Sequence, residues 1–177
     1  RINQETKDEY RATPLYIAIK QGHDDVVKAL RSYKGIYKDD IYENQKRLNL
    51  NFGHTFAHAI EMAIRSKKED VIRHGEAVGI GMLCELYFTN GKSKLFFTLQ
   101  SLLKKYTLPT NIKKFLKNRN RRIISDQIFD YIFLDKKKIN KFPRCIKISK
   151  IGKPKIIEMR KNNRIKQTID RVIFDGI

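Results

Sequence analysis

RLNLNFGHTFAHAIEMAI, residues 47–64, followed after a polar break by HGEAVGIGM, residues 74–82, is the stretch that decides how this chain folds. Ala57, Ile60, Ala63 and Ile64 supply small or apolar positions at helical spacing, so a helix is expected from about Asn51 to Ile64. Ser66-Lys67-Lys68-Glu69-Asp70 reads as a polar loop, and Gly75 to Phe88 as a second, apolar helix. Gly79 and Gly81 lie inside that helix, where each is roughly 1 kcal/mol worse than alanine. Their presence implies that another helix or a ligand must approach closely. Three of the chain's four histidines fall in this stretch. His54 and His58 are four residues apart and project from one helix face. His74 opens the second helix, and an antiparallel pair with a short connection would bring it opposite His54. Imidazoles on neighbouring helices are a common way to hold a divalent metal. The pattern lacks the glutamate of HExxH and so is not that of a metalloprotease. Ordinary surface or core histidines are the competing reading.

Outward from this centre the texture remains helical. Lys94 to Tyr106 is amphipathic and is ended by Leu108-Pro109-Thr110, and residues 123–134, IISDQIFDYIFL, form a further amphipathic helix. RCIKISKIG (144–152) and KPKIIEM (153–159) then alternate apolar and polar residues, which predicts two short strands turning at Gly152-Lys153. Residues 161–177 read as a basic tail. Upstream, residues 34–46 read as a charged connector. Residues 7–33 look like a single ankyrin repeat: Thr13-Pro14-Leu15, Ala18, Gly22-His23, and Val26-Val27 with Leu30 stand in the expected order. An ordinary helical hairpin is the alternative, and a lone repeat needs a neighbour to bury its face. The expected architecture is mainly α with a small β-hairpin near the C-terminus. It divides into an ankyrin-like segment (1–33), a helical domain (34–160) and the tail.

Composition narrows the class of function. No apolar run approaches the ~20 residues of a membrane span, and the first ten residues, RINQETKDEY, lack a signal-peptide core. Cys84 and Cys145 form no CxxC pair, which fits a reducing, cytoplasmic setting. The net charge of +19 would suit a polyanion, but there is no zinc finger or RNP-like motif. With 25 Lys against 13 Arg, a solvated lysine surface is the simpler reading, and nucleic acid is not the expected partner. A positive field would equally draw in a small phosphorylated or carboxylated substrate.

The central motifs closely resemble the signature of the 3-dehydroquinate synthases and related sugar-phosphate cyclases, over about residues 34–155. Asp40 and Glu43 ahead of Arg47, and Asp135-Lys136-Lys137 ahead of the strand pair, fit the same pattern. The resemblance implies an enzyme that turns a seven-carbon keto-acid phosphate into 3-dehydroquinate, using zinc (or cobalt) and NAD. It implies His54 and His74 as metal ligands, and His58 as a histidine near the substrate phosphate and the proton-transfer chemistry. Arg47 and Asn51 correspond to substrate-binding residues. Lys136, with Lys137 as the alternative, corresponds to a lysine that contacts substrate. Glu43 and Lys34 join His58 as the groups available for proton handling, with Lys38 a rival to Lys34. A homodimer is the usual state of the family.

The chain also departs from the pattern. Ala57 replaces a usual glycine, and residues 66–70 look like an insertion. The resemblance also implies a third metal ligand, a glutamate well before Arg47, which is absent, and no GxGxxG-like loop for NAD occurs in these residues. The chain begins at Arg1 rather than Met, which suggests the C-terminal part of such an enzyme. An ankyrin-type binding protein fused to an inactive cyclase remnant is the alternative.

Overall fold

The computed structural model describes residues 46–65, 71–116, 120–137 and 142–177. The ankyrin-like segment, most of the connector and the polar loop at 66–70 lie outside them. So do the side chains of 46–48 and 135–137. Residues 49–177 pack as one unit, and every contact below is internal to it.

A 3-10 helix, Lys46–Asn51, leads into a turn at Gly53 and then into α1, His54–Ile64. Phe56, Ala57, Ile60, Ala63 and Ile64 make the buried stripe of α1, at the spacing of one helix face. α2, His74–Asn90, starts where the Glu76 carboxylate accepts a hydrogen bond from the Arg73 amide at 3.0 Å. It stops at Gly91, whose amide donates to Tyr87 O. From Ala77 to Phe88 most of α2 is buried, on every side. That follows from its place at the centre, packed against α1, the hairpin, α3 and the C-terminal helices.

α3 spans Lys94–Lys105, with Ser93 Oγ accepting from Phe96 N at its start. A single turn, α4 (Lys113–Leu116), precedes α5, Arg121–Lys137, which buries Ile124, Ile128 and Ile132 at i, i+4 and i+8. β1 (Arg144–Ile148) and β2 (Pro154–Glu158) then pair antiparallel with Ile146 opposite Ile156. The fold is mainly helical with one small hairpin near its end, as the sequence pattern predicts. None of the described helices is long and apolar enough to cross a membrane.

The expectation of a basic tail over 161–177 is revised. Asn162 caps α6 (Asn163–Thr168), which widens into a π-helical stretch, Ile169–Asp175. Ile165, Ile169, Val172, Ile173 and Phe174 are all buried. Their helical spacing is diluted in the sequence by Arg164, Lys166 and Arg171, which face outward. Ile112 N donates to Ile173 O, and Arg121 reaches Asp175 at 2.8 Å, so this last segment is tied to the linker before α4 and to the start of α5.

The edge of β1 that faces away from β2 is closed by side chains rather than by a third strand. Thr55 Oγ1 donates to Arg144 O at 2.5 Å, Ile146 N donates to Glu85 Oε2 at 2.7 Å, and Asn90 Nδ2 donates to Ile148 O at 2.7 Å. One partner comes from α1 and two from α2, so the hairpin is bolted to the helix pair through alternate residues of one strand. An open strand edge invites pairing with other chains, and this one is occupied.

Candidate metal centre

The geometry of the histidines follows from how α1 and α2 meet. Gly53 has φ +88°, a conformation that favours glycine, and a Cβ there would lie 2.6 Å from Met82 N and 2.7 Å from Val78 O. A Cβ on Gly81 would collide with the Gly53 carbonyl and sit 3.1 Å from Ala57 N. The two backbones therefore touch, which only glycine permits. Gly79 gives way to a Leu103 methyl from α3. The close approach implied by the two glycines of α2 is thus a helix contact at both positions. Two turns along α1 from this crossing, Glu61 meets His74, so the helices run antiparallel.

At that end three imidazoles come together. Ring centroids are 5.3 Å apart for His54 and His74, 5.7 Å for His54 and His58, and 5.8 Å for His58 and His74. His74 Nδ1 lies 2.9 Å from Glu61 Oε1. Ligand atoms of His58, Glu61 and His74 all fall within 4.8 Å of one another. His54 is half-buried, and its Nδ1 is shut off from solvent and has no hydrogen-bond partner among the described residues. Burial first, and then the nearby His74 ring, hold His54 below the ordinary imidazole range, against an opposing pull from the Phe52 carbonyl. A neutral imidazole with a free lone pair is what a metal ligand must be.

Behind the histidines, Glu85 is fully buried on α2. Burial pushes its carboxyl up to about 8, although the Ile146 amide bonds its charged form. The Gly53 and Thr55 amides pull in that same downward direction without closing hydrogen bonds, and Oε1 is unpartnered among the described residues. Cys84 and Cys145 are buried as well, and burial raises both thiols. These thiols are packing groups, far from the reactivity of an exposed thiolate.

The structure brings together His54, His58 and His74. Asn51 ends the 3-10 helix, two residues before the Gly53 turn, and is half-buried. Arg47 lies in the same 3-10 helix and Lys136 in the last turn of α5, their side chains outside the described atoms. Lys34, Lys38 and Glu43 lie outside the described residues altogether. Glu61 had no role in the sequence reading. Its signal was present, since His54, His58 and Glu61 stand at i, i+4 and i+7 on one face of α1. A cavity of about 400 Å³ opens beside the cluster, lined by His58, Glu61, Met62, Ile64, Arg65 and Ile72, among others.

The donor set suits a divalent metal such as zinc or cobalt: imidazoles with a carboxylate beside them, and one buried ring nitrogen with no other partner among the described residues. Nothing comparable suits NAD among the described residues. No Gly-x-Gly-x-x-Gly loop occurs in the 177 residues, and a dinucleotide would have to be held by other residues.

Comparison with known proteins points the same way. The sequence model of a family described as 3-dehydroquinate synthase C-terminal matches residues 12–138. Proteins named 3-dehydroquinate synthase from Chlorobaculum parvum, Clostridium acetobutylicum and Streptococcus pyogenes are 37%, 34% and 32% identical over 127, 129 and 123 residues. The alignments cover 66%, 69% and 67% of this chain but 31%, 32% and 32% of those proteins. The chain thus spans about a third of the length of the curated relatives it matches. The family match begins inside the ankyrin-like segment and runs through the rest of it, which leaves the ankyrin alternative without support.

Proposed function

The chain belongs to the 3-dehydroquinate synthase family, and on that footing we propose that it supplies the metal-binding and substrate-binding part of such an enzyme. The reaction is the conversion of a seven-carbon keto-acid phosphate to 3-dehydroquinate with loss of phosphate. The observation that carries this reading is the convergence of His54, His58 and His74 from two helices, with one ring nitrogen buried and unpartnered.

His54 and His74 hold the metal. When bound, that ion supplies a Lewis acid that polarises a substrate oxygen. His54 is ready for this at neutral pH because burial disfavours its protonated form. His58 is exposed at the mouth, where it can accept and return a proton beside the substrate phosphate. Arg47 binds the substrate carboxylate as a two-pronged partner, and Asn51 orients a hydroxyl beside it. Lys136 contacts the substrate, and Glu43 and Lys34 share the proton handling with His58. These assignments rest on the motif positions.

Zinc titration of the full chain tests the reading. One bound zinc is expected, and binding should be lost in the His54→Ala, His74→Ala double variant. Unchanged binding in that variant would sink the assignment.

A further inference from the structure

We propose that Glu61 is the positioning residue of this metal centre: it grips the His74 ring at Nδ1 and leaves Nε2 as that ring's only metal donor. The inference rests on the reading of His54 and His74 as ligands.

The geometry argues for it in three ways. The 2.9 Å contact between Glu61 Oε1 and His74 Nδ1 is a hydrogen-bond distance, and a carboxylate only accepts. The proton therefore sits on Nδ1, and the lone pair is forced onto Nε2. Secondly, the His74 side chain is 54% exposed, whereas that of Glu61 is 28% exposed. His74 is the first residue of α2, and among the described residues Glu61 is its one side-chain hydrogen-bond partner. Thirdly, Glu61 shares a helix face with His54 and His58. The group that orients His74 is thereby carried on the same rigid element as the other two imidazoles.

The rival is that Glu61 is itself a ligand, completing a trio with His58 and His74, whose donor atoms lie within 4.8 Å. The two roles exclude each other at His74 Nδ1. An atom whose proton bonds the carboxylate has no lone pair for the ion. Metal-bound imidazoles commonly donate their second N–H to a carboxylate, and losing that partner lowers metal affinity by about 10- to 100-fold.

Cobalt titration of the full chain, followed by its visible spectrum, separates these outcomes. Glu61→Ala should bind about 10- to 100-fold more weakly. Glu61→Gln, whose amide oxygen still accepts from Nδ1, should recover most of that loss. At saturation both variants should show the parent spectrum, because the ligand set is the same. In the metal-free parent chain, nitrogen NMR should find His74 protonated at Nδ1, a measurement that needs no variant to fold. Parent-like affinity in Glu61→Ala overturns the proposal. A shifted cobalt spectrum with no rescue by Glu61→Gln also overturns it, in favour of Glu61 as ligand. His54→Ala and His74→Ala variants that bind like the parent overturn the metal reading itself.

Discussion

Two carboxylates on the same helix pair live in opposite conditions. Glu61 stands at the open end, half-exposed, holding an imidazole. Glu85 stands at the closed seam, fully buried, holding the backbone of β1. Between them lies the crossing where Gly53 and Gly81 bring the two backbones into contact. The pair teaches how one structural unit divides its labour. The seam is closed, backbone against backbone at the glycines and side chain against strand at β1, so that helices and hairpin lock, and the mouth stays exposed so that chemistry is possible. A change at one end should therefore leave the other nearly untouched, and a change at the crossing should disturb both.

The largest effect belongs to Glu85 and depends on pH. Its folded-state pKa of about 8 lies above the ordinary 4.5, so the folded chain keeps a proton that the unfolded chain releases. Its contribution to stability is complete below the unfolded value and is lost as pH rises to about 8. Across that window the loss is on the order of 5 kcal/mol. Glu85→Gln imitates the protonated acid. It should flatten the curve of urea-unfolding stability against pH from 5 to 8, while zinc affinity stays as in the parent. An unchanged curve would show that Glu85 ionises without difficulty where it sits.

Next in size is Gly81→Ala. The added carbon meets the Gly53 carbonyl, a backbone atom that cannot swing aside. A loss of about 3 kcal/mol is expected on unfolding, at the upper end for overpacking. Zinc affinity should fall with it, because the crossing sets the separation of His54 and His74. A variant that melts like the parent would break the idea that the crossing controls both ends. The smallest effect is at the mouth. Glu61→Ala should change folding stability by less than about 1 kcal/mol, since the pair is partly exposed to solvent. If stability drops further, Glu61 belongs to the structural seam as well.

Much of this arrangement was legible before the structure. Helical patterning located α1, α2, α3 and α5 to within a few residues, because α1, α3 and α5 carry apolar stripes and α2 is a long, largely apolar run. The alternation in 144–159 located both strands. The spacing of His54, His58 and His74 placed three imidazoles on two adjacent helices. What escaped has physical causes. Glu85 looks like a surface charge in LCELYF, and only burial and the Ile146 amide reveal its work. Glu61 looks like one more solvated residue of an amphipathic helix until His74 is seen against it. The final helix was hidden by its cations, since the apolar positions from Ile165 to Phe174 alternate with charges that solvent takes. Lys34, Glu43 and the side chains of Arg47 and Lys136 rest on motif positions alone.

The placement of that final helix has a consequence for how the protein is made. α2 is the central element, yet part of its covering, from Ile165 to Phe174, is translated well after it. At roughly 5–20 residues per second, the 84 positions between Asn90 and Phe174 take on the order of ten seconds to translate. Throughout that interval α2 lacks the part of its covering that Ile165 to Phe174 supply. Completion of the core therefore waits until the segment from Ile165 to Phe174 has been made and has docked against α2, the helix that carries His74 at its start.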